Sequence, residues 1–321
     1  MPDAVALRHL ARALILGCCL APHAAPATPS TYLADPEYLI DTWEAEDGLP
    51  ENSATGIAFG PGGFLWFGTW NGLVRFDGVE FTVLRPDTSP GLPGPAIINL
   101  HADRRDRLWV STGDGLATLH GSTWRPCGTG EGWVGSYVRT FSDCPDGEVL
   151  FTTFDGRILE SAGDRVRELP RPPGEPDQGY LGAVDDQGRR WVAQNRFVGF
   201  LQNGRWIQVR DLPPSLPRAE VNCAPARGGG LWVLLGRELV LFQGTTEART
   251  VTLPTHPGGV WSMKEDLQSN LWFCSFDSGL LRLASDGSIR RWNHTTGLRA
   301  QGIRALVEDT EGNLWVGTSG G

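Results

Sequence analysis

The sequence predicts an all-β protein, a β-propeller of about seven four-stranded blades with the last blade incomplete. Three observations carry this: a turn-rich composition, a repeat with a nearly fixed period, and three turn signals inside each copy. The 321 residues include 42 Gly and 23 Pro and show no sustained helical periodicity. Such a chain favours many short strands. A hydrophobic content of 40% is enough for a core and argues against disorder.

The repeat is the primary signal. Leu65-Trp66 recurs as Leu108-Trp109, Leu231-Trp232, Leu271-Trp272 and Leu314-Trp315, with Leu150-Phe151 and Arg190-Trp191 as degenerate copies. The aromatic positions 66, 109, 151, 191, 232, 272 and 315 are 40 to 43 residues apart. A polar turn precedes each aromatic, as at Asp103 to Asp106 and Asp309 to Gly312. A second turn follows it, as at Asn71-Gly72, Asp114-Gly115 and Asp155-Gly156, and a third comes after that, as at Asp77-Gly78 and Asp286-Gly287. In GFLWFGTWNGLVRFDG, residues 63 to 78, Asn-Gly between apolar runs marks a hairpin. Four strands and three turns per period make a propeller blade. The repeat tryptophans are then expected in the core, with Gly68 giving a bulky neighbour room.

In chain order, residues 1–27 read as an export signal. Arg8 and Arg12 supply the positive region, Ala13 to Leu20 the apolar one, and Ala25-Pro26-Ala27 a cleavage site. A lipoprotein variant at Cys18 ranks second. Residues 28–37 form a short linker and 38–321 the propeller. Tyr38 to Glu44 precedes the first Gly-Leu-Pro as an outer strand would, and is expected to complete the last blade from the other end. One strand of that blade is still expected to be missing, which leaves an open edge. Of the mature cysteines, Cys127, Cys144, Cys223 and Cys274, the first two are the best candidates for a disulfide; four buried free thiols are the equal alternative. A net charge of −9 and no Lys/Arg cluster exclude a nucleic-acid binder.

The stretches GLPENSATGIAFGPGGFLWFGTWNGLVRFDG and GLRAQGIRALVEDTEGNLWVGTSGG resemble two-component regulator propeller repeats. The resemblance covers about residue 38 to the end and is sharpest in the first, second, sixth and seventh copies. It implies the extracytoplasmic sensor of a receptor, periplasmic or extracellular, whose parent protein is anchored in the inner membrane. In that family a β-sandwich, one membrane span and a histidine kinase or diguanylate cyclase follow, and the receptors work as dimers. None of these parts is present here, so the chain is expected to be a fragment.

No nucleophile elbow, zinc-protease helix, phosphate loop or calcium loop occurs. No metal site, cofactor or catalytic residue is expected. Asp185-Asp186 and Glu308-Asp309 sit where carboxylates cap turns. A ligand is expected where blade loops converge at the channel. The ranked residues are Trp70, Asn71, Asp114, Phe154, Asn195, Arg196, Arg237, Trp261, Phe276 and Asp277, most of them after the Trp strand. A second set, Asn52, Tyr137, Arg139, Trp261, Gln301 and Arg304, marks the starts of inner strands. Trp70, Trp133 and Trp261 fall outside the repeating aromatic positions. The expected partner is a small ligand or oligosaccharide, and aromatics beside Arg and Asn suit a sugar or an acidic oligosaccharide. The leading function is a non-catalytic sensor. A partner-binding propeller comes second and an exported polysaccharide lyase or glycosidase last.

Overall fold

The structure is a computed structural model. It describes residues 4–9 and 38–319, apart from 129, 131, 134, 164, 174–179, 195, 213–215, 217–220, 297 and 299–301. Two strands lead, β1 (Ala4–His9) and β2 (Tyr38–Trp43). Six antiparallel sheets follow, each of four consecutive strands. Blade 1 is β3 (Gly56–Phe59), β4 (Leu65–Thr69), β5 (Gly72–Phe76) and β6 (Phe81–Leu84). Blade 2 is β7 (Ile97–Ala102), β8 (Arg107–Thr112), β9 (Gly115–His120) and β10 (Thr123–Cys127). Blade 3 is β11 (Val138–Asp143), β12 (Val149–Thr153), β13 (Ile158–Ala162) and β14 (Arg165–Glu168). Blade 4 is β15 (Leu181–Val184), β16 (Arg190–Gln194), β17 (Phe197–Gln202) and β18 (Arg205–Arg210). Blade 5 is β19 (Val221–Pro225), β20 (Leu231–Leu235), β21 (Glu238–Gln243) and β22 (Thr246–Thr252). Blade 6 is β23 (Val260–Glu265), β24 (Leu271–Ser275), β25 (Gly279–Leu283) and β26 (Ile289–Trp292). The seventh unit has only β27 (Ile303–Glu308) and β28 (Leu314–Thr318) as consecutive strands. By consecutive strands the propeller therefore has six complete blades and a two-strand seventh unit, which the leading strands β1 and β2 extend.

The first strand of every unit lies innermost and neighbours its counterparts, with β27 beside β3 to close the ring. Hydrogen bonds stitch this inner wall across blades. Thr55 Oγ1 donates to Ile97 O at 2.7 Å, Asn99 Nδ2 to Arg139 O at 2.9 Å, and Asn222 Nδ2 to Val260 O at 2.9 Å. At the closure Ala54 N donates to Thr318 O at 2.8 Å.

The N-terminal segment completes the partial blade, as expected for Tyr38 to Glu44. Tyr38 packs edge-on against Trp272 and Trp292 of blade 6, and Arg282 donates to its hydroxyl at 3.0 Å. On the opposite side Trp43 stacks on Trp315 with centroids 5.6 Å apart. The place expected to stay empty is filled: β1 pairs with β28 on one side and β2 on the other. Residues 4–9, read from the sequence as the front of an export signal, are thus a strand here. Main-chain pairing does not depend on side chains, so the open edge of β28 accepts an extended segment that reaches it. The rest of 1–27 and the linker 28–37 lie outside the described residues.

The core is divided into layers between neighbouring blades, because each blade buries both faces. Trp66 packs with Ile97, Leu100, Leu108 and Val110 of blade 2. Trp272 packs with Ile303, Leu306 and Leu314 of the partial blade. Gly68 makes room as expected: a Cβ there would lie 2.5 Å from Ile97 Cγ2. The third copy departs from the repeat as read. His101 faces Trp109 across blade 2, and the matching pair in blade 3 is Ser142 with Leu150. Leu150, not Phe151, therefore holds the tryptophan position and packs towards Val184 and Val192 of blade 4. Phe151 faces the other way, towards Trp109. A shift of one residue in a strand exchanges its faces. None of Cys127, Cys144, Cys223 and Cys274 is disulfide-bonded, which corrects the Cys127–Cys144 candidate. Burial pushes the thiols of Cys144 and Cys223 up to about 12.

Candidate functional site

The two sets of loops marked in the sequence lie on one face of the ring. Each second strand runs antiparallel to the inner strand, so its end comes back beside the inner strand's start. Phe154 N donates to Tyr137 O at 3.0 Å, and Phe276 N donates to Gly259 O at 3.0 Å. Asp277 Oδ2 accepts from Gly259 N at 3.3 Å, and Trp70 N donates to the Glu51 carboxylate.

Five large hydrophobic side chains stay exposed on this face: Trp70, Tyr137, Phe154, Trp261 and Phe276. They fall into two groups. In blade 3, Tyr137 and Phe154 meet edge to face at 6.5 Å, and the Arg139 guanidinium carbon lies 5.8 Å from the Phe154 centroid. At the closure, the Arg304 guanidinium carbon lies 5.1 Å from the Trp261 centroid and 5.7 Å from that of Trp70. Arg304 thus joins aromatics of blades 6 and 1. Phe276 borders the same place, since a Cβ at Gly302 would lie 3.1 Å from its ring.

Bulges set these side chains apart. In β11 Val138 pairs with Thr153 and Thr140 with Thr152, which leaves Arg139 as the extra residue. Trp261 between Val260 and Ser262, and Arg304 between Ile303 and Ala305, are extra residues in the same way. A bulge breaks the alternation of the strand and re-aims one side chain. Arg304 carries a further peculiarity. Its Nε is shut off from solvent and donates to nothing, and among the described residues no carboxylate pairs with its guanidinium. Burial holds its pKa below the ordinary arginine value, and no charged neighbour offsets this.

The other ranked residues have plainer roles. Arg237 donates to Leu253 O and Pro254 O and pins its own loop. The Asn71 carbonyl accepts from Arg85 Nε at 2.9 Å. Asp114 is exposed beside Gly94, and exposed Arg196 offers its carbonyl to Gln208. Asn195 and Gln301 lie outside the described residues. Trp133, singled out for its odd position, is 9% exposed and packs near Phe151, so it belongs to the core. Asn52 accepts from Ala45 N. Asp185 and Asp309 cap turns as expected, each accepting from backbone N–H groups and from the indole six residues on. The sequence marked Arg304 only by its place at the start of a strand. Its bulge and its two tryptophan neighbours come from three separate blades, which no local pattern reveals.

Among the described residues no group of His, Cys, Asp and Glu could hold a metal ion, and no helix is long and apolar enough to cross a membrane. The gap between the partial blade and blade 1, lined by Trp43, Phe67, Phe76 and Trp315, is almost wholly apolar.

The fold is similar to an extracellular domain assigned to the hybrid two component system BT3049 from B. thetaiotaomicron, at a TM-score of 0.71 and 18% identity, over 86% of this chain and 40% of that one. A second extracellular domain, assigned to the one component system BT4673 from the same organism, gives 0.62 at 14% identity, over 88% and 43%. The chain thus spans less than half the length of either. Virginiamycin B lyase from Staphylococcus aureus gives 0.63 at 16% identity, over 83% and 94%. Identities this low show the propeller fold alone. No curated protein matches the chain in sequence. One family model does: the two component regulator propeller, at residues 297–320. The matched residues include the strand pair β27–β28, whose bulge carries Arg304.

Proposed function

We propose that the chain is the ligand-binding propeller of an extracytoplasmic sensor in a two-component-type receptor, and that it carries out no chemistry itself. The observation that carries this reading is the family repeat at 297–320, which supplies Arg304 to the one face where exposed aromatics converge. The likeness of the ring to extracellular domains of two-component regulators supports the extracytoplasmic location. In this reading the ligand is a small molecule or an oligosaccharide, and a kinase or cyclase elsewhere in a membrane-anchored parent, acting as a homodimer, receives the signal. Ligand acts by favouring one of two arrangements of the receptor, so binding must differ between them.

A second reading, an enzyme, draws on the likeness to virginiamycin B lyase. One experiment separates the two. The purified chain is screened by thermal shift against neutral and acidic oligosaccharides and a streptogramin B antibiotic, and each mixture is then chromatographed for products. A raised Tm without turnover is expected. Turnover of any glycan, or of a streptogramin B antibiotic, would reject the non-catalytic reading. No shift from any glycan, with a protein captured instead, would favour a partner-binding propeller.

A further inference from the structure

We infer that the Trp70–Arg304–Trp261 cluster is a subsite for a carboxylate-bearing sugar ring, a uronate residue of an oligosaccharide. The inference rests on the ligand-binding reading above and names its chemistry. Arg304 is a permanent cation within reach of two indole faces, partly buried, and without an acidic partner among the described residues. The chain has 37 acidic against 28 basic side chains, so carboxylates to neutralise it were abundant. Arg107 and Arg189, two arginines elsewhere in the ring, do find them, in Asp103 at 2.7 Å and Asp185 at 2.6 Å. A buried cation normally gains such a partner, because desolvation otherwise opposes its charge. The missing acid is therefore the ligand's to supply.

Planarity selects the class of anion. A guanidinium offers parallel N–H donors that match a carboxylate in bidentate fashion. Trp70 and Trp261 are 43% and 49% exposed, so each keeps ring surface for a neighbour. The C–H face of a pyranose stacks on such a surface while its carboxylate meets Arg304. Both Trp261 and Arg304 are the extra residues of bulges, so this pairing is built by a departure from regular sheet. Phe276 beside Gly302 bounds the cluster on the blade 6 side.

The test uses trigalacturonate and its fully methyl-esterified form, which share rings and differ in charge. Both are titrated into the 321-residue chain by calorimetry. The acid should bind on the order of ten- to a hundredfold tighter than the ester, as for a charge-assisted pair. Arg304→Met should erase that preference, and Trp261→Ala should weaken acid and ester together. Circular dichroism and Tm confirm that each variant is folded. Equal affinity for acid and ester, or a preference that survives in Arg304→Met, would overturn the inference. So would failure of both probes to bind. If neutral oligosaccharides still shift the Tm in that last case, the ligand-binding reading stands and only the anionic class falls.

Discussion

Blades 4 and 3 build the same turn from different chemistry. In blade 4, Asp185 accepts from Gln187 N, Arg189 N, Arg189 Nε and, at 2.7 Å, Trp191 Nε1. Blade 2 repeats this with Asp103, Arg107 and Trp109, and blade 6 with Asp266, Asn270 and Trp272. In blade 3 the turn residue is Cys144 and the indole position is Leu150, so donor and acceptor are absent together. Blade 1 keeps Trp66 but has Gly60 at the turn, and its buried Nε1 has no partner. Blade 5 has Ala226 at the turn, and Trp232 Nε1 reaches Glu265 of blade 6 instead, at 3.1 Å. In blades 2, 4 and 6 the tryptophan and the aspartate act as one device, which blades 1 and 5 keep only in part. The ring buries the indole, and the carboxylate repays the desolvation of its N–H.

The largest effect should come from removing the indole altogether. Trp272→Ala empties a layer shared by blade 6, the partial blade and Tyr38, and should cost about 3–5 kcal/mol, read from urea unfolding. A loss under 1 kcal/mol would show that the N-terminal strand does not hold the closure. Next, Asp185→Ala should cost about 3 kcal/mol, since it strands an indole N–H and an arginine. Cys144→Ala, at the same turn of blade 3, should cost only about 1 kcal/mol. Similar losses for these two would break the comparison.

A finer contrast sets Trp66→Phe against Trp191→Phe. Both lose similar area, but only the second deprives a carboxylate of a donor, so it should be worse by about 1–2 kcal/mol. The smallest effect is one of pH. Burial alone would raise the Asp103 pKa, but the bonds from Trp109 and Arg107 and the Arg107 charge outweigh it and hold the carboxyl below its ordinary range. Its contribution is therefore complete above about pH 4 and drains away as pH falls through the lowered value. The urea midpoint should fall as pH drops below about 4, and less steeply in Asp103→Asn.

Much of the fold was legible in the sequence because a blade is local. Turns such as Asn71-Gly72 and Asp286-Gly287, and apolar runs such as Leu65 to Phe67, dictate hairpins without reference to anything distant. The period disclosed the ring, and the repeat tryptophans disclosed the layers between blades. Less of the site was legible. Both sets of candidate loops were read from the sequence, but not their convergence on one face, because that depends on how each second strand returns beside the first.

The sequence by itself determined a repeating all-β ring, its hairpins and its aromatic layers, since these follow from spacing within about forty residues. Tertiary structure alone decided the rest. It placed Leu150 instead of Phe151 against blade 4, because a spacing that wanders by a residue or more cannot set the face of a strand with a period of two. It put Ala4–His9 beside β28, because backbone pairing is blind to side chains. It set Arg304 between Trp70 and Trp261, because a contact among three blades exists only once the ring has closed.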